Sequence, residues 1–284
     1  MQARRTSSAS AVGEFFDHAL DTCKVLPFTM TLFAPFDESD SRISPLCSLM
    51  LLIEMLTSYT LTFWEQYVTN ILHIRWCFEG LYMAHVLHIL AYFDGYNLVT
   101  AYVLGQWRVC SIVMFIFNVF CMSNILFSVY QIYQFNISRP LSEKHSVIYS
   151  IQPIVPTIEL NVAALLWALF SPGQILFLDL PVFLFTVATV NANIISRLII
   201  SHMSNSRAQM CNTTVMLYCA AALMSMSNIL SASEELFLLK LLAVFSFLAY
   251  VHHFYCVVRE MSAKLQIEVF SLGYLKRRST RKQG

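Results

Sequence analysis

Charge is what this chain has least of. Only 12% of its 284 residues are Asp, Glu, Lys or Arg, against about 25% in an ordinary soluble domain. So little charge cannot cover the surface of a water-soluble globule of this length. Glycine is scarce as well, at 7 residues, while Phe reaches 22 and Met 13. That excludes disordered, collagenous and low-complexity classes. The 8 cysteines are widely spaced, with no C-x-x-C. They read as reduced, small buried hydrophobes rather than a disulfide framework or a zinc site. No apolar stretch follows Met1 closely enough for a secretory signal, so the first hydrophobic span is expected to act as its own insertion signal. A net charge of +1 gives no reason to expect a nucleic-acid partner.

What is present is apolar length. Mean hydropathy is +0.60 and 57% of residues are hydrophobic. A lipid-buried backbone must satisfy its own hydrogen bonds, and the alternating strands of an outer-membrane barrel are absent. The fold class is therefore all-α, a multi-pass helical membrane protein. A span needs about 20 mostly apolar residues. About eight such stretches occur, near 15–36, 44–68, 80–103, 109–133, 149–170, 177–200, 213–231 and 236–258. No internal repeat or soluble linker interrupts them. Residues 1–272 read as one membrane-embedded domain, and residues 273–284 as a basic cytosolic tail.

Orientation follows from Lys and Arg. One set of loops holds Arg4, Arg5, Arg75, Arg139, Lys144, Arg207 and the tail from Lys276 to Lys282. The alternate set holds Asp37, Glu38, Asp40, Asp94, Asp179, Glu234 and Glu235, with Arg42, Arg108 and Lys240 as its cations. Both termini are expected to be cytosolic. An even span count agrees with this and disfavours a seven-span receptor. The sequons at Asn136 and Asn212 then lie on the cytosolic side and stay unmodified.

Chemistry concentrates at the amino terminus. Asp17 and Asp21 are four apart, on one face of a helix, with Glu14 one turn earlier. Hard oxygen ligands at this spacing suit Mg²⁺ or Mn²⁺. Arg4 and Arg5 stand where a phosphate would be held, and Gly13 lets a ligand approach backbone N–H groups at a helix start. The other reading of the same residues is a short amphipathic helix with its acids facing water. Further along, Glu54, Glu159, Asn191, Asn193 and Arg197 are polar residues inside apolar spans, which makes them functional suspects. Asn193 and Arg197 share a helix face. The pairs His85/His88 and His252/His253 lack a third ligand nearby, so metal binding is not expected there.

The spacing Ala3-Arg4, eight residues, Gly13, three residues, Asp17, three residues, Asp21 resembles the second half of the CDP-alcohol phosphotransferase signature, D-x-x-D-G-x-x-A-R-x8-G-x3-D-x3-D. Trp64-Glu65-Gln66-Tyr67 with Trp76, Leu166-Trp167 with Ser171-Pro172, Met203-Ser204 with Ser206-Arg207, and the stretch from Ala249 to Leu272 are similar to the eukaryotic choline and ethanolamine phosphotransferase branch. They fit its ethanolamine subfamily in particular. The upstream D-x-x-D-G half and about two upstream spans have no counterpart, so the chain resembles an amino-terminally truncated form.

That resemblance implies transfer of phosphoethanolamine from CDP-ethanolamine to diacylglycerol, giving phosphatidylethanolamine and CMP. The alternatives are a choline or dual-specificity enzyme, or a catalytically inactive truncated form. By the same resemblance Asp17 and Asp21 are ligands of Mg²⁺ or Mn²⁺. Ala3, Arg4, Gly13 and Glu14 line the CDP-alcohol site. His18 is the base for the diacylglycerol hydroxyl, with Glu79 as its acidic partner. The expected setting is the bilayer of the endoplasmic reticulum or Golgi, and a homodimer is compatible with it. The 284 residues alone are expected to be inactive, for want of the upstream aspartates.

Overall fold

The computed structural model describes residues 10–37, 44–73, 86, 89–90, 92–93, 101–103, 105, 107–138 and 150–266. Its long helices are α1 (Ala11–Asp37), α2 (Pro45–Thr69), α3 (Val109–Ser138), α4 (Val155–Phe170), the short α5 (Ile175–Leu178), α6 (Leu180–Met203), α7 (Thr213–Met226) and α8 (Ala232–Leu265). The all-α, multi-pass reading holds. Among the described residues five helical stretches are long and apolar enough to cross a membrane: Pro45–Thr69, Ser111–Ser138, Gln152–Phe170, Leu180–Met203 and Ala232–Leu265. Each coincides with an expected span. The stretch expected at 15–36 is helical, and the one expected at 80–103 lies largely outside the described residues. At its end, Tyr102–Val103 pairs antiparallel with Trp107–Arg108 around Gly105, whose φ is 83°. This tiny hairpin was not expected from the sequence, since its apolar residues read equally well as helix.

Local chemistry sets the helix ends. Pro45 opens α2 at a position whose N–H would have no partner, and Asn70 closes it with φ 60° and an N–H donated to Gln66 O at 2.8 Å. Asp179 caps α6 by accepting from Val182 N at 3.2 Å. Asn212 caps α7 by accepting from Thr214 N at 3.0 Å. Ser231 and Glu234 form a capping box at the start of α8.

Helix α6 is the hub, packing on α8, α1, α2 and α4. At about 1.5 Å per residue its 24 residues span about 36 Å, enough to cross a bilayer. The 14 residues of α7 reach only about 21 Å, short of the expected span at 213–231. The core divides in two along α6. Near its start, Trp167, Phe183 and Tyr218 pack edge to face, with centroids 5.6 Å and 5.4 Å from the indole. Near its end, Phe15, Phe63, Tyr67, Ile195, Leu198 and Ile199 form a second cluster. Of the cysteines, Cys121 is buried as expected, but Cys23, Cys47 and Cys211 are exposed. Cys23 and Cys47 lie on helices α1 and α2, whereas Cys211 lies in the loop before α7.

Candidate functional site

The second core cluster fixes how α1 sits, and therefore where its polar residues point. Val12, Phe15, Ala19 and Thr22 are buried, a three-four-three repeat that turns one stripe inward. Phe15 stacks on Phe254 of α8 at 5.4 Å, and Phe16 meets the same ring edge-on at 4.9 Å. Tyr250 Oη donates to the Ala19 carbonyl at 3.0 Å and accepts from Cys23 Sγ at 3.4 Å. Helix α1 is thus clamped to α8 along two turns.

The clamp leaves Gly13, Glu14 and Asp17 exposed and His18 and Asp21 half-buried. The His18 ring lies edge to face on Phe63 of α2, 5.3 Å between centroids. Asp21 Oδ1 is engaged by Lys24 Nζ, one turn on. The expectation that Gly13 exposes a free N–H is corrected: that N–H is donated to Ser10 Oγ at 3.0 Å, because Ser10 stands where an N-cap stands. A methyl at Gly13 would meet only Ser10 Oγ, at 3.2 Å. Ala3, Arg4 and Glu79 lie outside the described residues.

A divalent cation does not fit what is described. Asp17 and Asp21 supply two carboxylates, one already paired with a lysine. Among the described residues no three His, Cys, Asp or Glu side chains converge on one point. Mg²⁺ keeps its waters unless several fixed oxygens replace them.

Polar residues the sequence singled out inside the spans fall into two groups. Asn191 is fully buried and bridges α6 to α2, its Nδ2 donating to Thr60 Oγ1 at 3.3 Å, which is interhelical hydrogen bonding. Asn193 is 1% exposed, and its Oδ1 accepts from Arg197 Nε at 3.0 Å and from Asn212 Nδ2 at 3.1 Å. Glu159 is exposed, while Glu54 is half-buried.

Two acidic sites escaped the sequence reading. Glu65 is fully buried, with Oε1 2.5 Å from His73 Nδ1. The left-handed turn at Asn70 carries the chain back so that a residue eight positions on reaches it. Glu235, expected in a solvated acidic loop, is 1% exposed. It accepts from Trp167 Nε1 at 2.8 Å, Ser171 Oγ at 2.7 Å and Ser225 Oγ. Its neighbour Glu234 has the expected solvent exposure. Nothing in the local sequence separates the two acids except that Glu235 sits one position past the capping box.

The fold and this set of residues define an all-α, multi-pass membrane protein whose amino-terminal helix displays ordered acidic and imidazole groups at one end of the bundle. No family model matches the chain. It is 28% identical over 286 residues to ethanolaminephosphotransferase 1 of Homo sapiens and, over the same length, to that of Pongo abelii. It is 29% identical over 290 residues to that of Mus musculus. Each comparison covers 95% of this chain and 68% of the relative. This similarity supports a relationship to the CDP-alcohol phosphotransferases. The coverage agrees with the expectation that the amino-terminal part of that family has no counterpart in these 284 residues.

Proposed function

We propose that this protein is a CDP-alcohol phosphotransferase of phospholipid synthesis, acting on CDP-ethanolamine and diacylglycerol to give phosphatidylethanolamine and CMP. The observation that carries the reading is the coincidence of two things. Similarity to the ethanolaminephosphotransferases runs along 95% of the chain, and Gly13, Glu14, Asp17, His18 and Asp21 stand on successive turns of α1 with the apolar stripe turned inward. In this reading residues 1–272 are one domain. The amino and carboxyl ends face the cytosol, and the bilayer is that of the endoplasmic reticulum or Golgi.

The described residues do not complete a cation site, so the roles proposed are those of side chains alone. His18 takes the proton of the diacylglycerol hydroxyl. The freed oxygen attacks the phosphorus of the phosphoethanolamine unit, and the bond from that phosphorus to CMP breaks. An imidazole suits proton transfer near neutral pH. Its edge contact with Phe63 limits the ring's freedom on one side. Ala3, Arg4, Gly13 and Glu14 hold the CDP-alcohol, Asp17 and Asp21 supply two of the carboxylates that a Mg²⁺ or Mn²⁺ site would need, and Glu79 orients His18.

A second reading is a non-catalytic relative that keeps the fold. It is favoured by one observation: no third ligand joins Asp17 and Asp21 among the described residues. The two are separated by transfer of radiolabel from CDP-ethanolamine to diacylglycerol in membranes holding the 284-residue chain. A parallel form extended upstream by a D-x-x-D-G segment is assayed beside it, with CDP-choline as competing donor. Transfer by the extended form alone supports the enzyme family and the need for the missing ligands. Absence of transfer by either form supports the non-catalytic reading.

A further inference from the structure

Among the described residues Arg197 is a cation without an anion. It sits near the end of α6, a helix of which 83% of the most apolar stretch is buried; the residue is part-buried, with its Nε contact inside and its Nη1 contact exposed. Nε donates to Asn193 Oδ1 at 3.0 Å and Nη1 to Gln209 Oε1 at 3.1 Å. Both acceptors are neutral amides. Among the described residues no carboxylate lies within ion-pair distance of Arg197, the pairs being Lys24–Asp21, His73–Glu65 and Lys240–Asp179. Nη2 has no protein acceptor there. Partly desolvating a charge without a counter-charge is costly. A cation kept at that depth is a functional suspect whose partner should be named.

The surroundings name it. Arg197 lines a pocket with Pro153 and Pro156 at the head of α4, Ser201 on α6, and Gln209 and Asn212 in the following loop. No acidic residue and no residue of α1 lines it. Besides Arg197 Nη2, the lining includes Gln209 and Ser201, whose side chains carry groups able to donate. The two amide acceptors fix the guanidinium plane, so the fork is set before anything binds. Asn193 is held in turn by Asn212 and, more distantly, by Thr214 Oγ1 at 3.5 Å. The loop that brings Gln209 is itself anchored. Arg207 Nε donates to Gln152 Oε1 at 2.7 Å, and the Ala208 N–H donates to Tyr67 Oη at 3.1 Å. A pre-oriented guanidinium with flanking neutral donors and no competing acid is the recognition pattern for a phosphate oxyanion.

We propose that Arg197, Gln209 and Ser201 form a binding site for a phosphate group, carried by a lipid headgroup or by a soluble phosphate. The site is independent of the transfer reaction proposed above. The test uses the full chain purified in detergent. Inorganic phosphate is the free-anion arm, and nanodiscs of phosphatidylcholine with or without phosphatidic acid form the lipid arm. Binding is read directly by titration and by the rise in thermal midpoint it produces.

Wild-type protein should bind in at least one arm, and which arm responds identifies the source. Arg197→Gln should weaken binding at least tenfold, while Arg197→Lys, which keeps charge but loses the fork, should fall between. Gln209→Glu covers the case in which removing Arg197 harms folding. It places an internal carboxylate on the guanidinium and should abolish binding in a folded protein. Absence of wild-type binding in both arms would overturn the proposal. So would Arg197→Gln or Gln209→Glu binding within twofold of wild type. An equal loss in Lys264→Gln, an exposed charge removed elsewhere, would also overturn it.

Discussion

Removing the Glu235 carboxylate should loosen one end of the bundle by an amount the structure allows to be estimated. Its Oε1 gathers Trp167 Nε1, Ser171 Oγ and Ser225 Oγ, and its own turn is the first of α8, where the helix dipole favours an anion. In Glu235→Ala Ser171, just after α4, keeps its bond from the Ile175 N–H, and the Ser225 hydroxyl, inside α7, can rotate to a backbone acceptor as serines in helices commonly do. The indole N–H cannot, because Trp167 is fully buried between Phe183 and Tyr218. One stranded donor costs about 1–3 kcal/mol, and the void left by the carboxylate adds to it. A total of about 3 kcal/mol corresponds to a fall of about 6–12 °C in thermal midpoint for a chain of this size. Glu235→Gln keeps an acceptor and should lose only about 1 kcal/mol, the charge-assisted part of the bonds. The assay is unfolding in detergent at one scan rate, followed by a thiol-reactive dye whose added signal, above the constant labelling of the exposed Cys23, Cys47 and Cys211, reports exposure of the less accessible thiols including buried Cys121. A double-mutant cycle with Trp167→Phe isolates the pair and should give a coupling of about 1.5–3 kcal/mol. A midpoint within 2 °C of wild type for Glu235→Ala, by the scale of about 2–4 °C per kcal/mol, or Gln as damaging as Ala, would refute the account.

Three further outcomes are expected. Gly173→Ala should destabilise the same junction, because a Cβ there would collide with Glu235 Oε2 and come within 3.1 Å of Ala232 Cα; the dye assay checks this, and an unchanged midpoint would mean the backbone yields freely. In an active extended form, His18→Ala should slow transfer by about 10²–10⁴ at saturating substrate, the usual cost of a lost general base, while CDP-ethanolamine binding measured by equilibrium dialysis stays intact; Asp17→Asn should remove most turnover, because the upstream segment completes a site that needs that carboxylate's charge. Asn212 should carry no glycan whichever side it faces, since it is 3% exposed and its side chain is committed to Thr214 and Asn193; a glycosidase-sensitive mass shift mapped to that residue would contradict the packing.

Apolar length made the fold class and the five long spans legible, because a stretch that must bury its whole circumference announces itself without a partner. The acidic helix α1 was legible for a different reason: the spacing of Gly13, Asp17 and Asp21 repeats with the helical turn, so residues near in sequence are near in space. What stayed hidden depended on distant partners. Glu235 reads in sequence like its solvated neighbour Glu234, and only Trp167, 68 positions away, makes it a core residue. Asp179 and Lys240 read as loop charges, yet one caps α6 and the two form a 3.7 Å pair. Gly13 was read as an open backbone because the role of Ser10 depends on where the helix begins. Arg197 was visible as an anomaly within an apolar span, but its lack of a carboxylate partner could be seen only once the helices were packed.

The two ends of α6 differ in how their polar groups are answered, and the difference bears on where the protein acts. At the starting end every prominent charge is met from within: Glu235 by three donors, Glu234 by Ser231 in the capping box, Asp179 by Lys240 and the α6 backbone. Such a junction has little left to offer a ligand, and its satisfied network favours one arrangement of α4, α7 and α8. At the finishing end Glu14 and Asp17 face outward from α1 and Arg197 keeps Nη2 unfilled, although Tyr67, Gln152 and Arg207 bind the nearby loop firmly. Rigid surroundings around unanswered charge are what a site needs, because the cost of ordering the donors is met in folding rather than on binding. A substrate that is itself charged would find its complement at that end of the bundle and none at the other.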